Sequence, residues 1–197
     1  MAAFVARVTA GLSYHVAFTG AANASVNRLP IVGGMDVSGD DFASSFTYDY
    51  HHDYKNLGKI PVQIRAVHGT GYARIGSGGW QTLKGYSNDQ SNAPFAPVRS
   101  PADVLLGQVS RAGGRATYLV SIADAILIHP ETIVGSVTDE RVDTTTLRVL
   151  IDDAGRPISG TWHLDGQARV DGQLQEIVYD LQLTFSKVGA KISIARP

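Results

Sequence analysis

Cysteine is absent from all 197 residues, which removes disulfides, thiolate metal sites and thiol nucleophiles together. An excess of charge of one sign is absent too. Seventeen Lys and Arg stand against 18 Asp and Glu, a formal net charge of -1, so no broad basic surface neutralises phosphates and nucleic acid is not expected as a partner. No apolar run approaches the roughly 20 residues that span a bilayer. Residues 1–12 lack the basic start, apolar core and small-residue cleavage site of a signal peptide. There is no Gly-x-Ser-x-Gly elbow, no His-Glu-x-x-His and no phosphate loop, and neither a tandem repeat nor a low-complexity tract.

What is present is alternation broken by glycine. Hydrophobic residues make up 44% of the chain, charged residues 18%, and there are 21 glycines, a mix that fits a β-rich fold with many turns. The length suits one domain covering 1–197. Val67-His68-Gly69-Thr70-Gly71-Tyr72-Ala73-Arg74-Ile75-Gly76-Ser77-Gly78-Gly79-Trp80 alternates like a strand, breaks on glycines and closes on an aromatic, as one corner of an antiparallel hairpin ladder does. Further strands are expected at 13–19, 29–38, 44–54, 60–68 and 72–83. After the middle of the chain they resume at 116–122, 125–129, 132–138, 145–151, 157–164, 167–170, 177–185 and 190–194. Asp152-Asp153-Ala154-Gly155 and Asp171-Gly172-Gln173 are the clearest turns among them.

Two helices are expected. Phe4, Val5, Val8 and Leu12 stand near helical spacing in residues 2–12. Ser100-Pro101-Ala102-Asp103 has the order of a helix start, Ala102, Leu105, Leu106, Val109 and Ala112 share one helical face, and Gly113-Gly114 ends the pattern. Residues 84–99 lose all periodicity around Tyr86 and Phe95, which predicts a mobile loop near the mouth of any cavity.

Chemistry-bearing residues are few. In the strand around Phe46, Tyr48, Tyr50, His52 and Tyr54, the opposite face carries Asp49, His51 and Asp53, a set that could coordinate zinc. A tight site needs three or four ligands fixed by further partners, and one strand seldom supplies them, so a solvated polar face is the favoured reading and no metal or cofactor is expected. Asp139, Glu140 and Asp143 read as a solvated loop, and His68, His129 and His163 stand singly on strands. The glycine-rich stretches 69–71 and 76–79 have no following helix to cradle phosphate.

The order of parts resembles a known family. The first strand ends Tyr14-His15-Val16-Ala17-Phe18-Thr19-Gly20, and the hairpin between Gly69 and Trp80 comes after it. Then come a Ser-Pro-initiated helix, the Ile151-Asp152-Asp153-Ala154-Gly155-Arg156-Pro157 turn and a final Leu181-Gln182-Leu183-Thr184-Phe185-Ser186-Lys187-Val188-Gly189 strand. This is similar to the LppX and LprG type of bacterial envelope lipoprotein, and more distantly to the LolA and LolB lipoprotein carriers. The resemblance implies an α+β fold, a curved antiparallel sheet forming an unclosed half-barrel with helices on its concave side. It also implies an apolar cavity that takes acyl chains of lipids, lipoglycans or acylated proteins. The lipidated Cys of that family is not in this sequence, so membrane association would depend on an N-terminal anchor outside it.

The expected function is therefore a non-enzymatic, extracytoplasmic carrier of lipid in the cell envelope, acting as a monomer. Its cavity lining is expected to be Tyr48, Tyr50, Val62, Ile64, Leu147, Val149, Trp162, Leu164, Leu181 and Leu183 from strands, with Leu105, Leu106 and Val109 from the helix. Two alternatives stay open: an envelope interaction module whose core is filled by its own side chains, and a metal-binding enzyme using Asp49, His51 and Asp53.

Overall fold

The computed structural model describes residues 13–24, 27–39, 41–50, 58–82, 104–112, 115–122, 137–154, 156–170 and 172–197. Their regular structure is eleven strands, β1 (Tyr14–Ala24), β2 (Asn27–Ser38), β3 (Asp41–Tyr50), β4 (Gly58–Val67), β5 (Thr70–Ile75), β6 (Gln81–Thr82), β7 (Val104–Ala112), β8 (Arg115–Ile122), β9 (Val137–Asp152), β10 (Pro157–Val170) and β11 (Gln173–Ser186). All eleven join one antiparallel sheet in the order β6-β5-β4-β3-β2-β1-β11-β10-β9-β8-β7, which is unclosed. The topology is two meanders set back to back. One steps outward from β1 to β6, the other steps inward from β7 to β11, and the β1–β11 ladder joins them.

The expected α+β class is corrected by this result: the described residues contain strands and no helix. The Ser-Pro-initiated helix carrying Leu105, Leu106 and Val109 is strand β7. The reason lies in how the segment ends. Ala112 pairs with Arg115 in an antiparallel β7–β8 ladder, and an apolar run ending in Gly-Gly is as compatible in sequence with a hairpin as with a helix stop. Gly107 in the middle of the segment also weakens a helix by about 1 kcal/mol relative to Ala. The other expected helix, 2–12, and the 84–99 loop lie outside the described residues.

Smaller departures have local causes. The expected strands 157–164 and 167–170 are one strand, because a register irregularity at Asp165/Gly166 absorbs the glycine without ending the ladder. The expected strand 72–83 is two, since the glycine run after Ile75 reverses the chain and Tyr72 pairs with Thr82. Asp139, Glu140 and Asp143 lie in β9 rather than in a loop, held by a ladder to β10 that pairs Val137 with Val170 and Arg141 with Gln167. Residues 190–194 form no strand; the chain leaves the ladder as the Gly189 amide donates to the Ser13 carbonyl at 2.7 Å, and the Ala195 carbonyl accepts from Arg65 of β4 at 3.0 Å.

Turns are fixed by carboxylates that accept from turn amides. Between β4 and β5, His68 and Gly69 both take positive φ, 50° and 77°, as a two-residue hairpin turn demands, and the His68 amide donates to Asp41 Oδ1 at 2.8 Å. Between β9 and β10, Asp152 accepts from the Arg156 amide and from its Nε, each at 2.8 Å. Those bonds and the guanidinium charge hold the Asp152 carboxyl below the usual carboxylate range.

Period-two alternation divides the sheet into an apolar and a polar face. Antiparallel partners point to the same side, so the register assembles rows across the sheet. One row runs Val62, Phe46, Gly33, Phe18, Leu183, Gly160, Val149 through β4, β3, β2, β1, β11, β10 and β9. At Gly33 a side chain would run into Phe46 and the Ser45 carbonyl; at Gly160 it would run into the Arg148 carbonyl. The two glycines therefore let neighbouring strands and rings close over them. Phe18 and Phe46, on strands either side of β2, meet across Gly33 with ring centroids 6.2 Å apart.

Gly33→Val is expected to lower unfolding free energy by about 1–3 kcal/mol through overpacking, while Val32→Thr, at a neighbouring position that is 59% exposed, stays within about 0.5 kcal/mol. Urea denaturation of both variants checks this; equal midpoints would refute the close-approach role of Gly33.

Candidate functional site

The apolar face is the broadest chemically uniform feature of the fold. Its buried cluster draws on seven strands, β1 to β4 and β9 to β11, and among the described residues the only buried polar side chain besides the tyrosines is Ser44. Among the described residues no charged side chain enters it. The opposite face of the same strands carries His15, Asp36, Asp49, Gln63, Arg65, His163, Asp180 and Gln182, none of them buried.

Nine of the thirteen expected lining residues are brought together on that face: Tyr48, Val62, Ile64, Leu147, Val149, Trp162, Leu164, Leu181 and Leu183 are all buried members of one cluster. The register explains the grouping. Tyr48, Ile31, Gly20, Leu181, Trp162 and Leu147 form a second row across the sheet, one pleat along from the Phe46 row. Leu106 is paired in register with Val120, which pairs with Leu147. Leu105 is one residue out of that row, and Val109 falls at the irregularity between Gln108 and Ser110. The three therefore do not form the single stripe that helical spacing implies. Tyr50 lies in β3 opposite Gly58.

Aromatic rings give this face its shape. Phe46 and Tyr48 pack edge-on at 5.4 Å, Tyr14 and Phe185 at 5.8 Å, and Trp162 stacks on Tyr179 at 5.8 Å. Phe18, Phe46 and Tyr179 are not among the expected lining residues. Phe46 is within reach of sequence reasoning, since it has the parity of Tyr48; Phe18 and Tyr179 depend on which strands become neighbours.

The metal-ligand set is not assembled in the part that can be described. Asp49 sits on the polar face opposite Lys59, while His51 and Asp53 lie outside the described residues. Among the described residues no three His, Asp or Glu side chains converge as a metal site would require. His163, expected to stand singly, pairs with Asp180 directly across the β10–β11 ladder at 2.8 Å, and His68 sits in its turn beside Asp41. His129 lies outside the described residues.

No family model matches the chain, and no curated protein does. Among solved structures, LprF from Mycobacterium bovis is similar at a TM-score of 0.43 and 14% identity, over 100% of this chain and 94% of that one. It is a distant likeness and does not reach family membership.

Burial pushes the Tyr14 phenol above the ordinary tyrosine range, because the phenolate would be stripped of water in the apolar cluster. The folded value exceeds the unfolded one, so the stabilisation is complete below about pH 10 and is lost as pH rises toward the folded value. The expected loss is about 1.4 kcal/mol per pH unit above pH 10 for this one group. Urea denaturation from pH 8 to 11.5 checks it: Tyr14→Phe should flatten the alkaline slope, and an unchanged slope would refute the assignment.

Proposed function

We propose that the protein is a non-enzymatic carrier of lipid or another acyl-chain ligand, held against the apolar face of the sheet, and that it works in the bacterial cell envelope. The observation that carries this reading is the breadth and uniformity of that face. Seven adjacent strands contribute to one apolar surface. At about 4.8 Å per strand the surface is roughly 30 Å across. The hydrocarbon core of a bilayer, two opposed acyl chains deep, is about 30 Å, so the span of the face exceeds the length of a single acyl chain. Each methylene buried there contributes about 0.8 kcal/mol without any polar contact, which suits a broad range of acyl ligands.

The absence of charged groups from the face among the described residues favours sequestration over catalysis, since acid–base or nucleophilic chemistry would need titratable groups beside the ligand. Among the described residues no helix is long and apolar enough to cross a membrane.

Mass spectrometry of organic extracts from the purified full chain is the direct test, with acyl lipids in stoichiometric amount as the expected result. Delipidated protein should then gain about 2.7 kcal/mol of unfolding free energy at a fatty-acid concentration one hundred times the Kd. A clean extract together with a melting temperature indifferent to fatty acid would favour the filled-core interaction module instead.

A further inference from the structure

The polar face holds a second feature that the carrier reading does not use. Two small residues, Gly34 on β2 and Ala43 on β3, leave a hollow of ≈ 290 Å³. His15 and Asp36 wall it on one side, and Ser45, Gln63 and Arg65 on the other. The register builds it: His15, Asp36, Ala43 and Arg65 follow one another across β1 to β4, and Gly34, Ser45 and Gln63 form the adjacent row. We propose that this hollow is a binding site for a phosphate group.

His15, Asp36, Gln63 and Arg65 are each held in place by a partner. Asp36 Oδ1 takes His15 Nδ1 at 2.8 Å, which turns the Cε1–Nε2 edge of the ring over Gly34, 3.1 and 3.3 Å from where a Cβ would stand. Arg65 donates one N–H to the Ala195 carbonyl at 3.0 Å, and its guanidinium lies 5.0 Å from the Trp80 ring centroid. Arg74 covers the same ring at 5.2 Å and donates to Gln63 Oε1, so the amide nitrogen is the end of Gln63 left to donate. A guanidinium has five N–H donors in a fork suited to phosphate, so one bond to the chain leaves capacity for a ligand.

The electrostatics point the same way. Arg65 brings a fixed positive charge to one wall, Arg74 stands behind it on Gln63 and the same Trp80 ring without lining the hollow, and the one carboxylate in the hollow, Asp36, is engaged by His15. Donors arrive from two strands, Ser45 from β3 and Gln63 and Arg65 from β4, while His15 Nε2 on β1, an acceptor when Nδ1–H is given to Asp36, can take the O–H of a hydrogen phosphate; a mixed set spread over three strands suits a tetrahedral oxyanion better than a planar carboxylate. The volume leaves room for a small organic group beyond the phosphate. The same chemistry is offered by a free phosphomonoester and by a phospholipid headgroup.

Isothermal titration of the full chain with inorganic phosphate, and co-sedimentation with phosphatidylcholine vesicles with or without phosphatidic acid, test this. Saturable heat assigns a free phosphate; sedimentation only with phosphatidic acid assigns a headgroup; either supports the site. Arg65→Met removes the guanidinium, and Ala43→Leu fills the hollow while leaving every donor in place. Each should weaken the positive signal at least tenfold without changing acyl-lipid co-purification, which reports on the apolar face alone. Neither phosphate heat nor selective sedimentation, or a signal unchanged in both variants, would overturn the proposal.

Discussion

The fold depends on the ladder between β1 and β11. Every other strand pair in the described sheet joins neighbours in sequence, so each meander could form from local turns; only this ladder, pairing residues from opposite ends of the chain, makes them one sheet. Its apolar partners are Val16 with Phe185, Phe18 with Leu183 and Ala22 with Tyr179. A long loop must close before those contacts form, which makes this the entropically expensive pairing in the topology. Once formed, it places the β3–β4 aromatic cluster and the β9–β10 cluster on one continuous surface.

That continuity shapes both sites. A sheet with one apolar side is stable only when that side is kept from water, and here the demand extends over seven strands. Glycines at Gly33 and Gly160 let large rings and backbone approach closely along the face. On the other side the same alternation presents short and polar residues, and a glycine and an alanine in adjacent strands open the hollow under Arg65. One sheet thus separates two chemistries, an apolar face and a polar hollow, by the thickness of a single layer.

Paired histidines recur on the polar face. His15 with Asp36 and His163 with Asp180 sit directly opposite one another in their ladders, each at 2.8 Å, and both are partly exposed. Pairs this exposed contribute little to stability, about 0–1 kcal/mol each. Their consequence is orientation: a cross-strand carboxylate fixes which ring nitrogen faces outward, and at His15 that edge lies beside a hollow.

The sequence by itself determined the strands with clear alternation, the turns between them and the parity of their faces. Tyr48, Val62, Trp162, Leu164, Leu181 and Leu183 were legible as one apolar set because period-two patterning needs no knowledge of neighbours. It did not determine the state of Leu105, Leu106 and Val109, since a short apolar run ending in Gly-Gly satisfies a helix stop and a hairpin turn equally, and pairing with β8 settled it. Nor could it show that Phe18 meets Phe46, that Tyr179 stacks on Trp162, or that His15, Ser45 and Arg65 share a hollow. Those relations belong to register between strands far apart in the chain. Only the assembled sheet, where a single residue of slip would send every side chain to the other face, fixed which of them stand together.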